Sequence, residues 1–217
     1  MISFIQTYIY ILAVCFFVSL TVYVNYRRTE FFLKLLPPFL FVALVVEILA
    51  AFMAFNRNNN VALYNFFTVF ELCIYLLLVS LVITNERIKK IIRGIIFLYA
   101  IVAIINILFF QGLRTIHTIT YSLGCLLVVS ACIYYFLELF ILPKSIKLRS
   151  NPAFWICFGI MLFYCCSFPL IGLINYWMNI SKFLLKNFAH IVNILHILLY
   201  SLFIIAFLCR IRIRKYI

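Results

Sequence analysis

Seven long apolar stretches dominate the sequence, and they constrain its fold more than any motif does. An α-helix needs about 20 mostly apolar residues to cross the hydrocarbon core of a bilayer. The chain is 68% hydrophobic and only 11% charged, whereas a soluble domain is about half apolar and a quarter charged. The sequence therefore predicts an all-α integral membrane protein, embedded in the lipid bilayer as one seven-helix domain over residues 1–217. The predicted spans are about 4–25, 36–55, 61–84, 91–110, 117–142, 152–177 and 187–209.

The basic residues predict the orientation of these helices. Fourteen of the 18 Lys and Arg fall after the first, third, fifth and seventh spans, and four fall on the opposite side. Short cytoplasmic loops carry such an excess of Lys and Arg, so we expect the N-terminus outside and the C-terminus in the cytoplasm. The net charge of +13 is then a juxtamembrane feature, and no nucleic-acid partner is expected. The four on the opposite side are Arg57, Arg114, Lys182 and Lys186.

The sequence offers little for catalysis or for a cofactor. The eight cysteines all fall inside the predicted spans without a CxxC pair, and the chain has no aspartate, no GxSxG and no HExxH motif. His190 and His196 are six residues apart, which separates them widely around a helix. We therefore expect no enzyme activity, no cofactor and no metal. One histidine with Glu47 and Glu71 is the metal arrangement left open.

Two of the five acidic residues, Glu47 and Glu71, lie within predicted spans. An ionisable group in the hydrocarbon core is costly and marks a functional site by default, so Glu71 should be either protonated or paired. Spacings of four, three and four residues place Glu71 on one face of the third helix with three other polar side chains. Those three are Tyr64, Thr68 and Tyr75.

The seventh helix carries a second polar stripe, and depth relates it to the acids. At 1.5 Å per residue, Glu47, Glu71 and His196 each lie roughly 12–15 Å below the predicted outer surface. Three polar groups at one level predict a ligand-binding or proton-binding pocket open to the outside. Hydrogen bonds that only hold helices together and a proton relay are the alternatives. The remaining candidate pocket residues are Asn106 on the fourth helix and His190, Asn193 and Tyr200 on the seventh.

Pro169 falls inside the sixth predicted span. A proline removes one backbone hydrogen bond and kinks a membrane helix. We therefore treat Pro169 as a candidate hinge, with a purely packing role as the alternative.

Three resemblances bear on the fold. Seven helices with an external N-terminus resemble the rhodopsins, but the seventh span, NFAHIVNILHILLYSLF, has no lysine for retinal. The segment Asn65–Ile83 aligns with Asn187–Ile205, which resembles the parallel 3 + 1 + 3 repeat of sugar-type transporters. The Asn-rich turn, the YNxFxxxE pattern and the Asn-containing last helix are similar to small seven-helix proteins of Bacteroidota. That resemblance implies the cell inner (plasma) membrane.

These observations favour a non-enzymatic sensor or receptor-like module. A small ligand would enter the pocket from outside, and the short cytoplasmic loops would require a cytoplasmic or membrane partner protein to carry the signal. A small-solute or proton-coupled transporter is the first alternative. A structural subunit of a membrane complex is the second.

Overall fold

The computed structural model describes residues 7–112, 115–141, 148–172 and 182–213. These residues form seven long helices and no strand. The helices are α1 (Thr7–Ser19), α2 (Phe31–Phe55), α3 (Val61–Val82), α4 (Glu86–Ile105), α5 (Thr118–Ile141), α6 (Pro152–Gly172) and α7 (Lys182–Ile213).

The seven predicted membrane helices are confirmed as elements long and apolar enough to cross a bilayer. The first continues past Ser19 as a 3₁₀ segment, Leu20–Arg28, and the fourth continues as a π-helical turn, Asn106–Phe110. Because an α-helix satisfies its backbone hydrogen bonds within one segment, it suits hydrocarbon surroundings. The chain is therefore a multi-pass membrane protein.

Three helices begin about five residues before their predicted starts. Helix α2 begins at Phe31, so Pro37 and Pro38 lie inside it. Helix α4 begins at Glu86, where the Asn85 side chain caps it by accepting a bond from the Arg87 amide, and α7 begins at Lys182. The first turn of α4 is polar, so hydropathy places its start too late.

The two ends of the bundle differ in composition. We call the end that carries residues 56–60, 111–112 and 115–117 the asparagine end, and the end that carries residues 29–30, 83–85 and 148–151 the basic end. At the asparagine end, the Asn65 side chain donates to the Thr115 carbonyl (2.8 Å) and accepts from the His117 amide (3.1 Å). At the basic end, the Glu138 carboxylate accepts from the Thr84 and Asn85 amides (2.7 and 2.8 Å). Each end thus has its own polar anchor.

Six helices form a ring, and α4 lies outside it. Around the ring, α1 packs on α2, α2 on α3, α3 on α5, α5 on α6, α6 on α7, and α7 on α1. Helix α4 packs mainly on α3, with a smaller contact to α5.

This packing pattern relates the first three helices to the last three. If α1, α2 and α3 are equivalent to α5, α6 and α7, each helix contact in the ring maps onto another contact of the ring. The contact of α3 with α5, for example, maps onto the contact of α7 with α1. The hydrogen bonds follow the same correspondence: Tyr8 on α1 bonds to Glu47 on α2, and Tyr121 on α5 bonds to Ser167 on α6. The described helices therefore have the connectivity expected of a 3 + 1 + 3 arrangement.

Gly124 is the position where helix packing is tightest around a missing side chain. A Cβ added there would lie 2.5 Å from a Leu72 methyl carbon and 2.7 Å from the Tyr99 hydroxyl, whereas a Cβ at Gly94 would have no atom within 4 Å. Leu72 and Tyr99 are themselves buried. Gly124 thus allows α3 and α4 to approach α5.

We predict that Gly124→Val destabilises the protein by about 1–3 kcal/mol through overpacking. Gly94→Val is the matched control, since it makes the same helical substitution in open space. Thermal unfolding of the purified full chain in detergent measures both. Equal melting temperatures for the two variants would contradict the packing described here.

Candidate functional site

A cavity of about 340 Å³ lies among the helices at the asparagine end. Its wall includes Asn60 and Ile116 from the connections at this end, and it extends along α3 as far as Glu71. Because Glu71 lies ten residues after the start of α3, the cavity reaches about 15 Å into the bundle. The other polar and aromatic wall residues are Tyr8, Glu47, Tyr64, Asn65, Phe67, Thr68, Tyr99, His117, Thr120, Tyr121, Phe163, Phe188, His196 and Tyr200.

Glu47 connects three helices at the side of the cavity. Its carboxylate accepts hydrogen bonds from the Tyr8 hydroxyl (2.5 Å) and from the Tyr64 hydroxyl (3.0 Å), and it is only 6% exposed. Tyr8 belongs to α1 and Tyr64 to α3, so both neighbouring helices supply a donor to α2. A buried carboxyl group needs such partners, because leaving it unpaired costs several kcal/mol.

Glu71 lies deeper and has a different environment. Its carboxyl faces the hydroxyls of Tyr75 on α3 and Tyr164 on α6 and interacts electrostatically with Glu47. Both tyrosines are fully buried, and their hydroxyls form no hydrogen bond of good geometry among the described residues. Glu71 itself is half-buried because part of its surface faces the cavity.

His196 is surrounded by aromatic rings from three helices. Its ring centroid lies 4.9 Å from that of Tyr8, 4.7 Å from that of Phe163 and 6.1 Å from that of Tyr200. The Nδ1 atom lies 2.9 Å from the Val192 carbonyl. Since a carbonyl oxygen only accepts, Nδ1 carries the proton, and Nε2 of the neutral ring remains an acceptor.

Six of the residues predicted from the sequence line this one cavity: Glu47, Tyr64, Thr68, Glu71, His196 and Tyr200. Tyr75 lies beneath the wall, where its ring packs at 5.7 Å from Tyr164 and 6.3 Å from Phe203. The cavity therefore brings together side chains from α2, α3 and α7 that are far apart in sequence.

The other predicted pocket residues lie outside the cavity wall. Asn106 is buried at the end of α4, where its amide donates to Gln111 (2.9 Å) and Thr120 (3.4 Å) and holds the α4–α5 connection. Asn193 is buried within the bundle, and His190 is half-buried on the first turns of α7. The spacing on α7 placed these residues near His196 but did not show where the cavity ends.

Pro169 lies in the last turn of α6 as described, which ends at Gly172. The predicted span extended to Trp177, which lies outside the described residues. Pro169 thus lies toward the asparagine end of the described helix, and its role as a hinge stays a prediction.

Tyr8 was not predicted as a site residue, although its hydroxyl is closer to the Glu47 carboxylate than that of Tyr64. The signal was present in helical spacing, because Tyr8 lies on the same face of α1 as Leu12, Cys15 and Ser19, all of which are buried. Tyr10, two residues along, is on another face and is 69% exposed. Phe163 and Tyr164 on α6 were also missed, since aromatic residues in an apolar helix carry no polarity signal.

The basic half of the bundle below the cavity is filled with side chains. Tyr75 on α3, Phe203 on α7 and Cys15 on α1 are each fully buried there. Phe39 on α2 packs edge-on against Tyr75 at 5.2 Å. This packed layer separates the cavity from the basic end.

The chemistry available in the cavity is mainly hydrogen-bond acceptance and aromatic contact. Among the residues described, no group of three or more His, Cys, Asp and Glu side chains has the arrangement of a metal site. All eight cysteines are free thiols.

Comparison with known proteins gives no match: no family model, curated protein sequence or solved structure that was compared with the chain resembles it significantly. The function is therefore inferred from the cavity itself.

We predict that Tyr8→Phe lowers the free energy of unfolding by an amount on the order of 1 kcal/mol, as interhelical hydrogen bonds in membranes do. Tyr10→Phe, on the exposed face of the same helix, should have no effect. Unfolding of the purified chain in mixed micelles measures both.

A double-mutant cycle then identifies the partner of Tyr8. In a Glu47→Leu background, which removes the acceptor, Tyr8→Phe should cost almost nothing. An equal cost in both backgrounds would show that the stabilising partner of Tyr8 is another group.

Proposed function

We propose that the chain is a non-enzymatic protein of the cell inner membrane that binds a small ligand in this cavity and acts as a sensor or receptor-like module. The observation that carries the proposal is a cavity at one end of the bundle, with several polar and aromatic side chains in its wall and packed side chains between it and the other end. Pockets of a few hundred Å³ with a few convergent polar groups are typical ligand sites.

The distribution of Lys and Arg supports an external position for the asparagine end. The opposite end carries the basic residues in the first turns of α4, which are Arg87, Lys89, Lys90 and Arg93. Cytoplasmic loops are enriched in Lys and Arg. The ligand would then enter from outside. With short loops and no additional domain among the described residues, the signal would pass to a partner protein at the basic end.

A small-solute transporter is the second candidate, and the ring of helices favours it. Parallel repeats of three helices that flank a central site are a transporter architecture. In that case the three-helix units α1–α3 and α5–α7 would rearrange to open the cavity toward the basic end. Sensor and transporter share the binding step and differ in whether the ligand crosses the membrane.

We predict that Thr68→Trp, which fills the cavity, abolishes ligand binding with little loss of stability. A thermal-shift screen of a small-molecule library against the full chain in detergent identifies the compounds that stabilise the wild type. Phe66→Trp is the control, because Phe66 is on the same helix and 56% exposed. The stabilising compounds should act on wild type and Phe66→Trp and lose their effect on Thr68→Trp.

Two results would contradict the proposal: a library without stabilising compounds, or stabilisation that persists in Thr68→Trp. The first would favour a structural subunit whose polar residues only hold helices together. For any compound that binds, uptake into proteoliposomes distinguishes the two candidates. Accumulation that Thr68→Trp abolishes supports the transporter, and binding without uptake supports the sensor.

A further inference from the structure

Two carboxyl groups and two histidine rings are the side chains of Asp, Glu, Lys, Arg or His type in the described wall of the cavity. The carboxyl groups belong to Glu47 and Glu71, the rings to His117 and His196, and no described Lys or Arg lines the wall. The side-chain ion pair in the described part of the chain, Lys89 with Glu86, lies elsewhere, at the start of α4. Neither cavity carboxyl therefore has a cationic protein partner there.

The two carboxyls differ in how well they are satisfied. Glu47 accepts two tyrosine hydroxyls with good geometry and so has a structural partner set. Glu71 faces the fully buried hydroxyls of Tyr75 and Tyr164 on one side and the cavity on the other. A buried carboxylate without a cationic partner is costly. A positively charged ligand in the cavity would supply that partner.

The remaining polar and aromatic surface also suits a positive ligand. Tyr8, Phe163 and Tyr200 surround the His196 ring, and all four line the cavity. The negative face of an aromatic ring attracts a cation, and the attraction is stronger where water is excluded. Since Nδ1 of His196 donates to the Val192 carbonyl, the neutral ring adds an acceptor.

Other ligand classes fit less well. An anion would meet two carboxyl groups without a Lys or Arg in the described wall. A metal ion would require several ligands in one cluster, which the described residues do not provide. A volume of about 340 Å³ with mainly apolar walls accommodates an organic skeleton.

We propose, building on the ligand-binding function above, that the cavity binds a small organic monocation, with its charged nitrogen between Glu71 and the aromatic rings around His196. Glu71 supplies the charge, and Tyr200 and Phe163 supply ring surfaces. Glu47 is a positioning residue, because its bonds to Tyr8 and Tyr64 fix the wall.

Matched pairs of probes test this with the wild-type chain alone. Choline and acetylcholine are compared with their neutral carbon isosteres, 3,3-dimethyl-1-butanol and 3,3-dimethylbutyl acetate, by calorimetric titration of the full chain in a nonionic detergent. We expect each cation to bind at least about tenfold more tightly than its isostere, equivalent to about 1.4 kcal/mol. Equal affinity within a pair overturns the proposal.

A glutamine substitution locates the charge. Glu71→Gln should reduce the preference for the cation to about twofold or less, because it keeps the side-chain shape but removes the carboxylate. Glu71→Asp should retain the preference. Glu86→Gln at the basic end is the control and should behave as wild type. A preference that survives Glu71→Gln in a folded variant would assign the site elsewhere.

The outcomes separate this inference from the proposed function. If no cation binds but the library yields compounds that Thr68→Trp excludes, the cavity binds ligands and the charge assignment is wrong. If cations and isosteres bind equally and Thr68→Trp excludes both, the same conclusion holds. If neither the probes nor the library bind, both proposals are wrong.

Discussion

The need to satisfy carboxyl groups inside a membrane bundle organises this structure. Glu47 meets that need through tyrosine hydroxyls from α1 and α3, so one acidic residue fixes the relative position of three helices. Removing one partner of a buried polar interaction costs more than the interaction contributes, so Tyr8, Glu47 and Tyr64 should behave as one unit. Glu71 faces the hydroxyls of Tyr75 and Tyr164 and the cavity. The first acid thus stabilises the wall, and the second lies at the surface of the cavity.

The two three-helix units share a packing pattern but differ in charge. The bond from Tyr8 to Glu47 in the first unit corresponds to the bond from Tyr121 to Ser167 (2.7 Å) in the second. The Ser167 hydroxyl is neutral and needs no counter-charge, whereas the Glu47 carboxyl makes its side of the cavity acidic. Both carboxyl groups in the described wall, Glu47 and Glu71, belong to the first unit. The wall of the cavity is therefore electrostatically asymmetric.

Much of the fold could be predicted because hydropathy and length determine membrane helices. The pocket residues on α2, α3 and α7 were also predictable, because helical spacing and depth are both readable from sequence. Tyr8 was missed because its partner on α2 is a tertiary contact, and Asn106 was placed in the pocket although it holds the α4–α5 connection. The position of α4 outside the ring could not be predicted, since helix adjacency leaves no trace in hydropathy, and the early start of α4 was missed because its first turn is polar.

Chemical modification of Glu71 tests the central claim most directly. A charged, membrane-impermeant carbodiimide is applied to right-side-out and to inside-out membrane vesicles, and mass spectrometry locates the modified glutamates. We predict that Glu71 reacts in right-side-out vesicles, that Thr68→Trp prevents this reaction, and that exposed Glu86 reacts in inside-out vesicles. Modification of Glu71 by a hydrophobic carbodiimide alone, or an unchanged reaction in Thr68→Trp, would contradict a water-reachable cavity at the outer face.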